Sequence, residues 1–248
     1  MRLRLLTYNI RYGGVGREQR LAAVIASCSP DLVVFQEATH PAVIEALAAA
    51  TGMRNWGARP GRSTAFMSRL DMAHHEWHRP AGSRHHFLEL APAGTEFRVF
   101  ALHLRAIHSN WTERRRVAEV RGLLRGIERY QHGFHVLAGD FNTLAPGEAL
   151  DATKLPMRLR PLVWLSGGRI RWETIQVMLD GGYVDGFRSL HPDQAGYTFP
   201  TWSPHVRLDY FFLPKGFIAR LRACGVVADG TLGQPSDHFP LLAEVDVA

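Results

Sequence analysis

Cysteine is nearly absent: Cys28 and Cys224 are the two in 248 residues, and neither stands in a zinc-type spacing. That excludes a disulfide scaffold and a structural zinc knot, and sets the expectation of a reduced, cytoplasmic setting. Lysine is equally scarce, since Lys154 and Lys215 are two of 29 basic residues and the rest are arginine. No apolar run approaches the roughly 18–20 residues of a membrane-spanning helix. The opening MRLRLLTYNI carries charge within its apolar stretch, so it reads as a first strand and not as a signal peptide. There is no glycine-rich phosphate loop, no G-x-S-x-G elbow and no dinucleotide fingerprint, which sets aside three large groups of enzymes. Internal repeats and low-complexity linkers are missing too, so residues 1–248 are expected to form one domain, and a monomer.

What the chain does have is a large apolar fraction, 46% hydrophobic against 21% charged, enough for one core without staples. Its net charge is +6. Arginine presents a planar fork of donors suited to phosphate and carboxylate oxygens, so the basic balance points to anionic partners.

The coarse pattern mixes strands and helices. Strands are predicted at 2–7, 32–35, 63–70, 85–90, 97–104, 134–138, 208–213, 218–227 and 241–247, and helices at 17–27, 41–50, 111–130 and 172–180. The longest helix repeats Val117, Val120, Leu124 and Ile127 on one side, with Arg114, Arg121, Arg125 and Arg129 on a solvated side. Adjacent strand runs break a strict βαβ alternation, so two packed sheets with helices outside fit better than one doubly wound sheet. His74, His75, His78, His85 and His86 fall across a loop and an edge strand with mixed facing, which reads as solvated surface.

Chemistry concentrates where buried strands end. Six segments carry small polar clusters there: TYN (7–9), QE (36–37), HL (103–104), GDFN (139–142), RLDY (207–210) and SDH (236–238). A carboxylate or amide at a buried strand end is costly unless it is paired or bound to metal, so the six should converge on one site. Carboxylates and amides without a thiolate favour a hard cation, Mg2+ or Mn2+. His103 and His238 add groups that titrate near neutrality, and Asp209 is placed to orient His238. Metal-assisted hydrolysis of a phosphate ester uses this whole inventory.

In order and spacing the six segments resemble the endonuclease/exonuclease/phosphatase superfamily of metal-dependent phosphoesterases. The resemblance spans almost the whole chain and implies an α/β fold, a four-layered α-β-β-α sandwich of two packed mixed β-sheets flanked by helices. It implies that Glu37 is the principal metal ligand, supported by Asn9 and Asp237. Asp140 and Asn142 would hold or activate the attacking water and contact the phosphate, Asp209 would pair with His238, the general base or phosphate-binding histidine, and His103 would contact the phosphate or assist the leaving group. Arg115, Arg116, Arg207 and Trp202 are the candidate substrate contacts, with Tyr197 beside the last. The expected partner is nucleic acid. A small phosphoester or lipid headgroup is the alternative, recognised through the apolar Leu155–Leu165 stretch of the arginine-rich insertion Leu155–Arg171. Two features depart from the family's pattern: Leu102 precedes the HL histidine, and the tryptophan-rich loop of AP endonucleases is not recognisable.

Overall fold

The computed structural model describes residues 1–80, 83, 85–106, 110–148, 172–228 and 234–247. The insertion at 155–171 lies outside these residues.

Twelve strands are laid out as β1 (Arg2–Asn9), β2 (Leu32–Gln36), β3 (Asn55–Gly57), β4 (Ala65–Ser68), β5 (Met72–His78), β6 (Phe87–Pro92), β7 (Arg98–His103), β8 (His135–Asp140), β9 (Tyr183–Asp185), β10 (Asp209–Pro214), β11 (Leu221–Val226) and β12 (Leu241–Asp246). They form two six-stranded mixed sheets, ordered β11-β12-β1-β2-β4-β3 and β5-β6-β7-β8-β10-β9. The period-2 pattern of β1 accounts for its place. Leu3 and Leu5 enter the layer between the sheets, while Leu6 and Tyr8 face the helices α1 (Glu18–Cys28) and α2 (Pro41–Thr51). The unbroken apolar run of β2 is explained likewise, with Leu32 and Val34 inward and Val33 and Phe35 outward, both faces covered.

On the far side of the second sheet, α3 (Asn110–Gly126) and α4 (Glu173–Asp180) cover Phe100, Leu137, Phe141 and Phe212 with Val120, Leu123, Ile175 and Met178. The architecture is therefore α-β-β-α in four layers. Arg114, Arg121, Arg125 and Arg129 do lie on the exposed side of α3 and the turn after it.

The structure adds the short strands β3 and β9, which the sequence pattern does not predict, and departs from the predicted elements elsewhere too. His74 to His78, read as loop, belong to β5, an edge strand whose exposed His74, His75 and Glu76 present polar groups where another chain could otherwise pair. The strand predicted from Ile218 starts instead at Leu221, because Lys215–Arg220 coil into a 3-10 turn. Among the described residues, no helix is long and apolar enough to cross a membrane.

β7 and β8 run parallel with Leu102 opposite Gly139 and His103 opposite Asp140. Gly139 has φ +147°, and a Cβ there would stand 2.0 Å from the Leu102 carbonyl oxygen, so glycine alone allows this approach.

Candidate active site

The C-terminal ends of β1, β2, β7 and β8 gather with the start of β10 and the 236–238 segment. Asn9 comes from the first sheet and reaches across the sandwich, its Nδ2 donating to Glu37 Oε1 (3.3 Å) and to Asp140 Oδ2 (3.0 Å) on the second sheet. Its side-chain Oδ1 accepts the Arg11 N–H (2.9 Å). Behind it Thr7 and Gln36, the other members of their motifs, bond each other and brace the β1–β2 pair.

Asp140 is the centre of the cluster. Its Oδ1 accepts the Asn142 N–H (2.9 Å), and its Oδ2 lies 3.7 Å from His103 Nε2 and 3.9 Å from His238 Nε2. These gaps exceed a direct hydrogen bond, so two imidazoles and a carboxylate face a common space open to a substrate oxygen. His238 is fixed from behind by Asp209, whose Oδ2 is 2.8 Å from Nδ1, and by the Phe199 ring 4.8 Å away. Asp209 Oδ1 is buried with no hydrogen-bond partner among the described residues.

The electrostatics follow from burial against charge. Burial works to lower the His238 pKa, but Asp209 and Asp140 outweigh it and push it up to about 10. Burial raises Asp140, with Asp209 adding to it and His238 opposing. Burial also lowers His103, against the pull of Glu37.

Ser63 belongs to none of the six motifs, yet it joins two of them. Its Oγ accepts the Glu37 N–H (3.1 Å) and bonds His103 Nδ1. With that oxygen donating to Nδ1, His103 keeps its N–H on Nε2, facing Asp140. The sequence signal for Ser63 was slight, a lone serine opening the strand predicted at 63–70.

Backbone strain concentrates here as well. Five non-glycine residues among those described have positive φ, and four of them, Arg11, Tyr12, Glu37 and Asn142, surround this cluster. Tyr12 N–H donates to Glu37 Oε2 (2.6 Å), so the strained 11–14 loop wraps the glutamate. Asn142 uses its left-handed turn and its Nδ2, bonded to the Leu104 carbonyl and Asp140 Oδ2, to fix Asp140 in place.

Asp237, expected beside the metal, pairs with Arg11 Nε (3.3 Å). Two expected substrate contacts are buried. Arg116 is 1% exposed, its guanidinium bound to Glu113 Oε2 (2.7 Å) and the Arg105 carbonyl (2.7 Å). Glu113 in turn accepts bonds from Thr143 and Thr174, so this pair ties α3 to α4 and to the loop after Asn142. Arg207, also 1% exposed, lies between Glu148 and Asp185 and over the Tyr210 ring. Both guanidiniums are buried in ion pairs inside the protein, Arg207 with its Nη1 left without a hydrogen-bond partner among the described residues. Arg115 rests on Trp111 with 3.5 Å to the ring centroid. Trp202 and Tyr197 are exposed, Trp202 at the rim of the site.

The histidine-rich segment divides up. His78 pairs with Glu89, His85 with Glu119 and His86 with Arg62, while the donor atoms of His74, Glu76 and His78 lie within 4.8 Å of one another on the remote edge strand.

Residues 6–238 match the family described as Endonuclease/Exonuclease/phosphatase. No curated protein matches the sequence. Among solved structures, a 3′ phosphatase from Neisseria bound to product DNA hairpin is 23% identical, with TM-score 0.73, covering 98% of this chain and 99% of its own. An AP endonuclease from Archaeoglobus fulgidus is 21% identical with TM-score 0.71, covering 99% and 100%. TDP2 from D. rerio, complexed with single strand DNA product, is 19% identical with TM-score 0.68, covering 99% of each chain. At these identities the solved structures speak to the fold.

Proposed function

This chain belongs to the endonuclease/exonuclease/phosphatase family, hydrolases of phosphoester bonds, and from that premise we propose that it is a divalent-metal-dependent phosphodiesterase of nucleic acid, DNA first. The observation that carries the reading is the convergence of Asp140, His103 and His238 on one buried space, 3.7 and 3.9 Å apart, with Glu37 and Asp209 at its walls. Support for DNA comes from the three structures of the same fold that act on it or hold it, and from the arginine-rich charge of +6.

The donor set suits a magnesium or manganese ion. Carboxylate oxygens dominate it, those of Asp140 and Asp209 lying within 4.8 Å of each other and of the His238 ring nitrogen, and Asp209 Oδ1 is left without a hydrogen-bond partner among the described residues. Glu37 and Asn9 would hold the ion, Asn9 by turning its amide to present oxygen, with Asp237 as the further ligand that the family resemblance implies. When bound, the ion supplies positive charge to the phosphate oxygens and the departing oxygen.

The chain's own groups do the rest. Asp140, its proton affinity raised by burial, takes a proton from the attacking water. His238, held as a cation by Asp209, donates from Nε2 to a phosphate oxygen, and His103 donates from the other side. Asn142 and Ser63 position these groups.

A panel of single- and double-stranded DNA, RNA and a small phosphodiester, run with magnesium, with manganese and with chelator, tests the reading. Metal-dependent cleavage of DNA is expected, lost by orders of magnitude in Glu37→Gln and His238→Gln. Intact DNA and RNA beside a hydrolysed small ester would overturn it.

A further inference from the structure

Beside the Asp140 cluster opens a cavity of about 500 Å3 whose lining includes Arg11, Tyr12, Arg17, Trp202 and Pro235. Two arginines line it, Arg11 paired with Asp237 (3.3 Å) and Arg17 bonded to the Arg11 and Pro235 carbonyls. Its aromatic walls are unusually open to water: Tyr12 is 76% exposed and Trp202 68%. Large rings at such exposure gain little from the fold and are suited to a ligand. The Arg11 guanidinium stands between them, 5.2 Å from the Tyr12 ring and 5.9 Å from that of Trp202.

Both rings are fixed to the cluster through backbone. Tyr12 is held at φ +47° while its N–H clamps Glu37, and Arg17 locks the same loop by bonding the Arg11 and Pro235 carbonyls. Trp202 sits on a turn stitched to the 236–238 segment, where Thr201 N–H donates to the Asp237 carbonyl and Thr201 Oγ1 to that of Ser236 (2.9 Å each). A non-glycine residue in left-handed conformation is costly, and here the cost aims an aromatic ring outward next to the half-buried Glu37 carboxylate.

We infer that this cavity receives the unpaired nucleobase adjoining the scissile phosphate, stacked on Trp202 and Tyr12, with Arg11 contacting its ring edge or backbone. The inference rests on the nuclease reading above and adds to it a requirement for a base beside the cut. Stacking accepts every base, so the preference is for an unpaired nucleotide and not for a sequence.

A cycle between protein and substrate tests it. Cleavage of single-stranded DNA is compared with cleavage of the same strand carrying an abasic analogue on each side of the cut phosphate in turn. Wild type, Trp202→Ala, Tyr12→Ala and Trp202→Phe are each assayed, with circular dichroism to verify the fold. On intact DNA the alanine variants should raise KM about 5- to 140-fold, the span of one stacked base at tenfold per 1.4 kcal/mol. On the abasic strand that loss should shrink to about twofold or less, and Trp202→Phe should recover most of the affinity. Equal losses on both substrates, or no loss on either, would overturn the inference while leaving the nuclease reading intact. DNA uncut by wild type while a small phosphodiester is hydrolysed would overturn both.

Discussion

Substituting Gly139 by alanine tests how the fold sets the site. Gly139 occupies φ +147°, and an added Cβ would lie 2.0 Å from the Leu102 carbonyl oxygen. That oxygen is backbone in a buried parallel pair, with no rotamer to yield, so β7 and β8 must part by about 1 Å to reach even the 3.0 Å limit of real contacts. The disfavoured dihedral costs about 1–3 kcal/mol and the overpacking about 1–3 kcal/mol more. At ~2–4 °C per kcal/mol for a chain of this size, the melting temperature should fall by about 4–24 °C. The next register pair is His103 and Asp140, whose 3.7 Å gap takes the same displacement. A misplacement near 1 Å lowers turnover about 100-fold. Calorimetry gives the first quantity, and steady-state kinetics on the folded fraction gives the second. A variant melting within 2 °C of wild type and turning over within about twofold of it would refute this reasoning.

Three more outcomes are expected. Arg116→Met and Arg207→Met each strip one partner from a buried ion pair, a loss of about 3–5 kcal/mol seen as lowered thermal stability; raised KM at unchanged melting temperature would return them to the substrate surface. Ser63→Ala releases His103 and should lower kcat at least about tenfold with KM little changed, Ser63→Thr restoring part of it; unaltered kcat would leave the serine a mere spacer. For His238 the folded pKa stands above the unfolded value of 6.5, so its stabilisation is complete below 6.5 and is lost as pH rises towards about 10. Urea titrations in chelator should therefore show the stability gap between wild type and His238→Gln closing over that range, and a gap that widens would contradict the Asp209 pairing.

Much of this molecule was legible in its sequence, because burial leaves a pattern. The apolar run of β2 and the alternation of β1 fixed their facing, and a polar cluster at each strand end foretold where the strands would meet. Residues that act through geometry alone left no such trace. Ser63 is an ordinary serine until β4 brings it between Glu37 and His103. The positive φ of Arg11, Tyr12 and Glu37 is invisible in residue types that rarely adopt it. Arg116 and Arg207 misled because arginine near a motif reads as a phosphate contact. The i, i+3 spacing of Glu113 and Arg116 was the available signal that the charge was already matched. The β5 edge escaped because its polar, histidine-rich run lacks the apolar alternation of a half-buried strand.

The hydrogen bond from Asn9 to Asp140 joins one sheet of the sandwich to the other. Whatever occupies the site grips both halves, so the centre serves as a clasp as well as a place of chemistry. Ligand bound there favours the closed sandwich by mass action. Amide exchange should then slow together in β1 and β8, strands that lie in different sheets. Conversely, a core substitution between the sheets, at Leu5 or Ala138 for instance, would be felt at the site as slack in that clasp.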